Sequence, residues 1–205
     1  MVFLKRMAAV IVMVAAFCQG VIGQDINTTP KARHYAVDDI GQFVPALMIP
    51  AVGLCGVKGR HDWRERIAVA ATAFIINEGL TQTLKHTIHS TRPDGTDRHS
   101  FPSGHSSRAF AGAEIVRAEY GWGWGAGAYA VAAGVGALRI HHRRHRFGDV
   151  AGGAVVGFLS ARAAYLLLPV ERRLFGWEKT GVTAVAVPNI DLVERSAGIS
   201  ACVIF

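Results

Sequence analysis

The chain of 205 residues fits one domain, and its 51% hydrophobic content is ample for a core. Charged residues reach 18%, the formal net charge is +7 and mean hydropathy is +0.27, which favour a membrane-associated protein with anionic partners: phosphate groups, anionic lipid or nucleic acid. The cysteines are too few for a disulfide scaffold and lack metal-ligand spacing, so a disulfide-stabilised domain and a cysteine metal site are both excluded.

The N-terminus has the pattern of an export signal. Lys5 and Arg6 precede an apolar run over residues 7–17, and small residues at 21–23 lie just before Gln24. The run is shorter than the roughly 20 apolar residues that a bilayer crossing needs. We therefore predict a signal peptide over residues 1–23, with an uncleaved anchor helix as the alternative.

Apolar stretches then alternate with polar joints, which predicts a helical domain over residues 24–178. The stretches cover residues 41–57, 67–88, 104–120, 120–138 and 149–168. We expect Pro45 and Pro50 to break the first stretch and Pro169 to stop the last, because proline lacks the N–H that a helix interior uses. Residues 90–103 are rich in Pro, Gly, Asp, Ser and Thr and predict a functional loop.

Glycine and alanine dominate the stretch from Tyr120 to Leu138. Small residues let helix backbones approach closely. The predicted fold class is therefore all-α, a helical bundle with several membrane-inserted helices. Proline, glycine and single charges such as Arg162 weaken each candidate span, so a fully soluble bundle is the alternative.

The tail over residues 179–205 differs in composition from the bundle. Residues 180–187 and 197–205 are short and rich in Val, Ile, Thr and Ala, and a polar stretch separates them. This pattern predicts two strands that form a short C-terminal β-hairpin.

Lys85 and Arg92 form the first group of chemically informative residues. Lys85 lies near the end of a predicted helix, and Arg92 lies in a loop beside Pro93. The two cations could converge on one anion, with arginine supplying a planar fork for phosphate oxygens. Cations near a helix end are more often simply solvated, so this pair is weak evidence by itself.

The second group is the Pro102-Ser103-Gly104-His105 turn that opens a helix. Such a turn presents backbone N–H groups and a hydroxyl at the positive end of the helix dipole, which is a ready anion site. His105 could donate a proton to a leaving oxygen, since its unperturbed pKa lies near neutrality. An ordinary serine-capped helix with an incidental histidine is the alternative.

The third group runs from Arg139 to Asp149. His145 and Asp149 are four residues apart, so a helix starting here would place both on one face. A carboxylate on one imidazole nitrogen would leave the other nitrogen to attack. Two alternatives remain: a zinc site formed by His141, His145 and Asp149, and a basic loop that contacts anionic lipid or nucleic acid.

Taken together, the three groups resemble the three-part signature of the type 2 phosphatidate phosphatase superfamily. The order, the internal spacing and the intervening lengths all match, and the groups span roughly a third of the chain. The resemblance implies a helical bundle and a phosphatase that needs no metal and no other cofactor.

The resemblance also implies a role for each matching residue. His145 would be the nucleophile that takes the phosphoryl group, Asp149 would orient it, and His105 would protonate the leaving alkoxide and later activate water. The phosphoryl oxygens would be held by the remaining matched residues: Lys85, Arg92, Ser103, Gly104 and Arg139.

One position departs from the family pattern, which usually has serine before the third-group arginine, where this chain has Leu138. The change removes a hydroxyl that would support the phosphate site, but no group that makes or breaks a bond. Basic neighbours outside the signature are expected to form a cationic rim or a solvated loop: His141, His142, Arg143, Arg144 and Arg146.

These features predict a hydrolase for a lipid-linked phosphate monoester in the bacterial cell envelope, with a membrane partner and no nucleic-acid partner. The candidate substrates are lipid A phosphate, phosphatidylglycerol phosphate and phosphatidate. The alternatives are an undecaprenyl pyrophosphate phosphatase, a soluble periplasmic acid phosphatase, a metal-dependent hydrolase and a non-catalytic binder of anionic lipid. A vanadate-dependent haloperoxidase, from the same superfamily, would need a longer chain.

Overall fold

The computed structural model describes residues 36–177, 183–191 and 196–204. The predicted signal peptide lies outside these residues and stays a prediction. The described helices are α1 (Ala36–Gly41), α2 (Val44–Leu54), α3 (Trp63–Thr87), α4 (Gly104–Tyr120), α5 (Trp122–His141) and α6 (Phe147–Leu174). The bundle that the apolar stretches predicted is therefore confirmed for these residues.

Helix α4 lies at the centre of the bundle, in contact with α2, α3 and α5. Its sequence is rich in small residues, and Ala109 and Ala113 are fully buried in the core beside Ala128 and Ala132 of α5. Small side chains let the backbones approach closely. The N-terminus of this central helix is the Ser103-Gly104 turn, so the bundle holds the second predicted group rigidly.

Two glycines of α6 allow this helix to lie directly against the start of α4. A Cβ atom at Gly153 would lie 2.5 Å from the carbonyl oxygen of Ser103, and one at Gly157 would overlap the carbonyl oxygen of Ser107. Any larger residue would force the helices apart, because packed interiors have no spare volume. The third predicted group, at the start of α6, is thereby held against the second.

Proline does not end the helices in the way that the sequence predicted. Pro45 lies in the first turn of α2, where a helix has no use for its N–H. Pro50 lies inside α2, and α6 continues past Pro169 to Leu174. Each internal proline removes one backbone hydrogen bond. The other backbone hydrogen bonds keep both helices continuous.

The chain divides into two compact units, Met1–Leu168 and Pro169–Phe205. In the second unit the backbone forms β1 (Thr183–Asp191) and β2 (Ser196–Ile204), which pair antiparallel with Val187 opposite Ser200. The side chains of this tail lie outside the described residues. The predicted domain boundary after residue 178 and the packing of the hairpin stay predictions.

Two described helices, α3 and α6, are long and apolar enough to cross a membrane. Both also expose large apolar side chains: Ile75 of α3 is 73% exposed and Leu166 of α6 is 80% exposed. Length and composition alone do not distinguish such helices from the core helices of a soluble protein. They are consistent with the predicted membrane association.

Candidate active site

A pocket of about 250 Å³ opens where the C-terminal ends of α3 and α5 and the loops that follow them meet the N-terminal end of α4. Five cations and one carboxylate are among its lining side chains, which favours an anionic ligand. The lining residues are Asp39, Thr81, Gln82, Lys85, Arg92, Gly104, His105, Arg108, Arg139, Arg144 and His145.

The first predicted group reaches the pocket from the end of α3 and the loop after it. The ammonium group of Lys85 donates a hydrogen bond to the carbonyl oxygen of His99 at 2.8 Å, which anchors the loop to the helix. Nε of Arg92 donates to Oδ1 of Asp97 at 2.8 Å, which leaves the other guanidinium N–H groups for an anion. Both cations are therefore held by the loop.

The second predicted group forms the N-terminus of α4. Ser103 is the N-cap residue, and its Oγ accepts hydrogen bonds from Ser106 Oγ at 3.0 Å and from the backbone N–H of Ser106 at 3.5 Å. Its own N–H donates to the carbonyl oxygen of Asp149 at 2.9 Å. The Ser103 side chain is thus buried in the cap, and Gly104 and His105 line the pocket at the positive end of the helix.

His145 is positioned by a loop that folds back on the end of α5. The N–H groups of Arg144 and His145 donate to the carbonyl oxygen of Arg139 at 3.0 and 3.2 Å. Arg143 adopts a left-handed φ of 53°, which helps to turn the chain. The loop places the buried His145 and the buried Arg139 on the same pocket.

Asp149 lies behind His145, in the first turn of α6. Its Oδ2 is 3.7 Å from Nδ1 of His145 and accepts hydrogen bonds from Ser100 Oγ at 2.5 Å and from the N–H of Arg146 at 2.9 Å. Ser100 Oγ is in turn 3.4 Å from Nδ1 of His145. The imidazole therefore turns Nδ1 toward the carboxylate, and Nε2 is the nitrogen left for a ligand.

The sequence suggested that a single helix carries both His145 and Asp149, and the structure differs from this prediction. His141 ends α5, His145 lies in the loop and Asp149 lies in α6, so no continuous helix aligns them. The ring of His141 instead packs on that of His142, with centroids 5.5 Å apart. Within the described parts of the chain, no group of three or more His, Cys, Asp or Glu side chains is arranged to hold a metal ion.

His105 is bound by a residue that comes from the other end of the domain in sequence. Its Nε2 is 2.8 Å from Oδ1 of Asp39 in α1. His105 and Asp39 face the same pocket as His145. Two histidines therefore line one anion-binding pocket, and each has an aspartate beside one ring nitrogen.

Both histidines are neutral in the free protein near neutral pH. Burial, followed by the charges of Arg139 and Arg92, lowers the pKa of His145 to about 3. Burial and Arg139 lower the pKa of His105 to about 4, although the hydrogen bond and the charge of Asp39 oppose this shift. A neutral imidazole can act as a nucleophile, whereas a neutral His105 must first gain a proton to act as an acid.

Six of the eight predicted site residues line the pocket: Lys85, Arg92, Gly104, His105, Arg139 and His145. Ser103 and Asp149 are buried behind it and hold the turn and the imidazole. Leu138 is not among the lining residues. Of the predicted cationic rim, Arg144 reaches the pocket, where it donates to Oδ2 of Asp94 at 2.9 Å.

Besides Thr81 and Gln82, which line the pocket from α3, three residues at the site had not been predicted from the sequence. Ser100 lies two residues before the second group and could have been found as a nearby hydroxyl. Arg108 follows the same group by one helical turn and lines the pocket with its side chain bonded to Glu78 and Gln42. Asp39 carried no signal, since it lies 66 residues from its partner His105.

Known proteins share sequence and fold with this chain. The PAP2 superfamily model matches residues 66–173, which is more than half of the chain. A protein named Lipid A 1-phosphatase from Porphyromonas gingivalis is 34% identical over 137 residues, which make up 64% of this chain and 31% of that protein. The chain therefore corresponds to less than a third of that relative.

A solved structure shares the fold. The crystal structure of Aquifex aeolicus LpxE matches with a TM-score of 0.51 and 21% sequence identity, over 66% of this chain and 88% of that chain. At this level of identity the likeness concerns the arrangement of the helices.

Proposed function

Because the chain belongs to the PAP2 superfamily, we propose that it is a phosphatase that hydrolyses a lipid-linked phosphate monoester through a phosphohistidine. The resemblance found in the three sequence groups is thereby confirmed at the level of the family. The observation that carries the proposal is the pocket itself, where His145, backed by Asp149, shares one space with His105 and five cations.

In the proposed first step, Nε2 of His145 attacks the phosphorus while the bond from phosphorus to the ester oxygen breaks. The proton of Nδ1 is held toward Asp149, whose carboxylate stabilises the positive charge that develops on the ring. The departing alkoxide takes a proton that the phosphate monoanion has brought into the pocket and that His105 passes on. In the second step His105 takes a proton from water, the hydroxide attacks phosphorus, and the P–N bond breaks to release phosphate and neutral His145.

The cations stabilise charge on the phosphoryl oxygens during both steps. Lys85, Arg92 and Arg139 line the pocket together with the backbone of Gly104 at the helix N-terminus. Donors that are already oriented cost little reorganisation when charge develops, so this arrangement favours the transition state over the ground state. No step requires a metal ion.

The first candidate substrate is a phosphate group of lipid A, and phosphatidylglycerol phosphate and phosphatidate are the next candidates. The relative from Porphyromonas gingivalis, whose name states lipid A 1-phosphate chemistry, supports this order. Arg108 and Arg144 also line the pocket, where each is paired with a carboxylate, Glu78 or Asp94.

We place the enzyme at a membrane of the bacterial envelope, with the pocket on the periplasmic side. Support comes from the predicted export signal and from α3 and α6, which are long and apolar enough to span a bilayer. Their exposed apolar residues, such as Ile75 and Leu166, would contact lipid. Residues at the end of α3 and in the loop just before α6 line the pocket, and we infer that a lipid headgroup would enter it from the bilayer surface.

The proposal is tested by measuring phosphate release from the purified protein in detergent micelles. The panel contains lipid A bisphosphate, phosphatidylglycerol phosphate, phosphatidate and undecaprenyl pyrophosphate at equal surface concentration. We expect release from the monoesters, with the highest kcat/KM for lipid A, and unchanged release in the presence of a chelator. Release from undecaprenyl pyrophosphate alone, or loss of activity with the chelator, would contradict the proposed substrate class or the metal-free mechanism.

The pH dependence of kcat/KM is expected to be bell-shaped, with its optimum between about pH 4 and pH 6. The acid limb reflects protonation of the free enzyme, because the pKa values of His105 and His145 are about 4 and about 3. The alkaline limb reflects the second ionisation of the phosphate monoester, near pH 6, since the monoanion must bring the proton that His105 passes to the leaving group.

This profile is measured with a soluble monoester over pH 3.5 to 8.5, at constant ionic strength. Between pH 6.5 and 7.5 we expect a loss of about tenfold per pH unit, which is the slope of a single required proton. A rate that keeps rising above pH 7 would contradict the neutral state of His105 in the free enzyme.

A further inference from the structure

The second histidine of the pocket has a carboxylate partner that lies outside the three signature groups. Oδ1 of Asp39 in α1 is 2.8 Å from Nε2 of His105, within hydrogen-bonding distance. Both side chains are partly shielded, with 39% of Asp39 and 19% of His105 exposed. The contact joins residues that are 66 positions apart, so only the tertiary fold creates it.

The segment that carries Asp39 is held in place by its own contacts. The amide of Gln42 donates from Nε2 to the carbonyl oxygen of Asp39 at 2.7 Å, and its Oε1 accepts from Nη1 of Arg108 at 2.9 Å. Gln42 is buried. Gly41 lies close to Val135 of α5, since a Cβ at this position would be 3.3 Å from its methyl group. Asp39 is therefore presented to the pocket by a fixed backbone.

We propose that Asp39 is a positioning residue for His105, so that the pocket contains two Asp–His pairs with different tasks. Asp149 orients His145 for attack, and Asp39 orients His105 for proton transfer. The bond to Nε2 fixes the neutral imidazole with its proton on that nitrogen and leaves Nδ1 to exchange a proton with the leaving-group oxygen. This inference rests on the proposed phosphatase function.

The electrostatic surroundings of His105 show what the carboxylate of Asp39 contributes. The charged groups that face it are Arg139 from α5 and Arg108 from α4, and His145 lines the same pocket. Cations disfavour the protonated imidazole, whereas the carboxylate of Asp39 favours it through its charge and its hydrogen bond. Asp39 thus offsets, at one histidine, the positive charge that the pocket needs for phosphate.

If Asp39 positions His105, its loss should lower kcat/KM most for substrates whose leaving group must be protonated. An alkyl phosphate has a strongly basic alkoxide as leaving group, which must be protonated as the bond breaks. The leaving group of p-nitrophenyl phosphate is a stable phenolate, which departs without a proton. Both substrates form the same phosphohistidine, so only the first step differs between them.

The test is the kcat/KM of wild type and Asp39→Asn for a short-chain alkyl phosphate and for p-nitrophenyl phosphate. The ratio kcat/KM reports steps up to the release of the first product, which excludes hydrolysis of the phosphohistidine. We expect Asp39→Asn to lower kcat/KM by about tenfold to a hundredfold for the alkyl phosphate, a share of a general-acid contribution of roughly 10²–10⁴. For p-nitrophenyl phosphate we expect less than a threefold loss.

Three further variants separate a positioning role from a structural one. Asp39→Glu should recover part of the alkyl phosphate activity, because it restores the carboxylate. Asp39→Asn added to His105→Ala should cause no further loss, since its partner is gone. Glu78→Gln removes a carboxylate that binds Arg108 beside the same pocket. This variant should lower kcat/KM by the same factor for both substrates.

Equal losses for the two substrates in Asp39→Asn would overturn the inference, and so would an additive loss in the double variant. If Asp39→Asn fails to fold, the ¹⁵N shifts of the His105 ring in wild type provide the second measurement, and a proton on Nδ1 rather than Nε2 would overturn it as well. Failure of the proposed function would be distinct, because wild type itself would then release no phosphate from either substrate.

Discussion

Replacement of His145 by alanine is expected to lower kcat for the preferred lipid phosphate by roughly 10⁴-fold or more, which corresponds to about 5 kcal/mol of activation free energy. The physical reason is that the variant lacks the atom that forms the bond to phosphorus, and no other described side chain stands in its place. The cations of the pocket remain, so substrate binding should change little. The same variant should also lose the covalent intermediate.

The measurement combines steady-state phosphate release with a rapid quench in alkali after mixing with radiolabelled substrate, because phosphohistidine survives alkali and is lost in acid. Wild type should retain label on the protein, and His145→Ala should retain none. The matched control is His141→Ala, which removes an exposed imidazole four residues away, at the end of α5. We expect that control to stay within about threefold of wild type, as surface substitutions usually do.

The two histidine variants together also decide between a nucleophile and a zinc ligand. If a metal were held by His141, His145 and Asp149, both variants would lose activity and bound metal together. Label that persists in His145→Ala would instead rule out His145 as the attacking group.

Asp149→Asn is expected to lower kcat by about 10²–10⁴-fold while KM stays within threefold. Oδ2 of Asp149 accepts from Ser100 Oγ and from the N–H of Arg146, and it faces Nδ1 of His145. An amide has no negative charge and only one acceptor oxygen, so it neither stabilises the imidazolium nor satisfies every donor. Loss of the equivalent orienting aspartate in a serine protease costs about 10⁴ in kcat.

The split between kcat and KM is the informative part of this measurement. Asp149 does not line the pocket, so the phosphate site should survive, and inorganic phosphate should inhibit the variant with nearly the wild-type inhibition constant. Ser100→Ala provides an intermediate case, because it removes one donor to Asp149 and keeps the carboxylate. A variant with wild-type kcat and a greatly raised KM would show that Asp149 serves binding instead of orientation.

The sequence by itself determined the fold class and most of the pocket. Long apolar stretches rich in small residues can bury their surface only as packed helices, and helix α4 begins and ends where the pattern predicted, at Gly104 and Tyr120. The three groups were identifiable because their residues keep fixed spacing within short local segments. Lys85, Arg92, His105, Arg139 and His145 accordingly meet at one pocket.

Tertiary structure alone decided how those groups are supported. His145 is positioned by a loop that folds back on the carbonyl of Arg139, and the predicted helical register with Asp149 does not exist there. Asp39 reaches His105 across 66 residues, and Ser100 reaches Asp149 across 49. Such contacts leave no periodic or local pattern in a chain, because they depend on how whole helices pack, and packing is set by many small contacts at once.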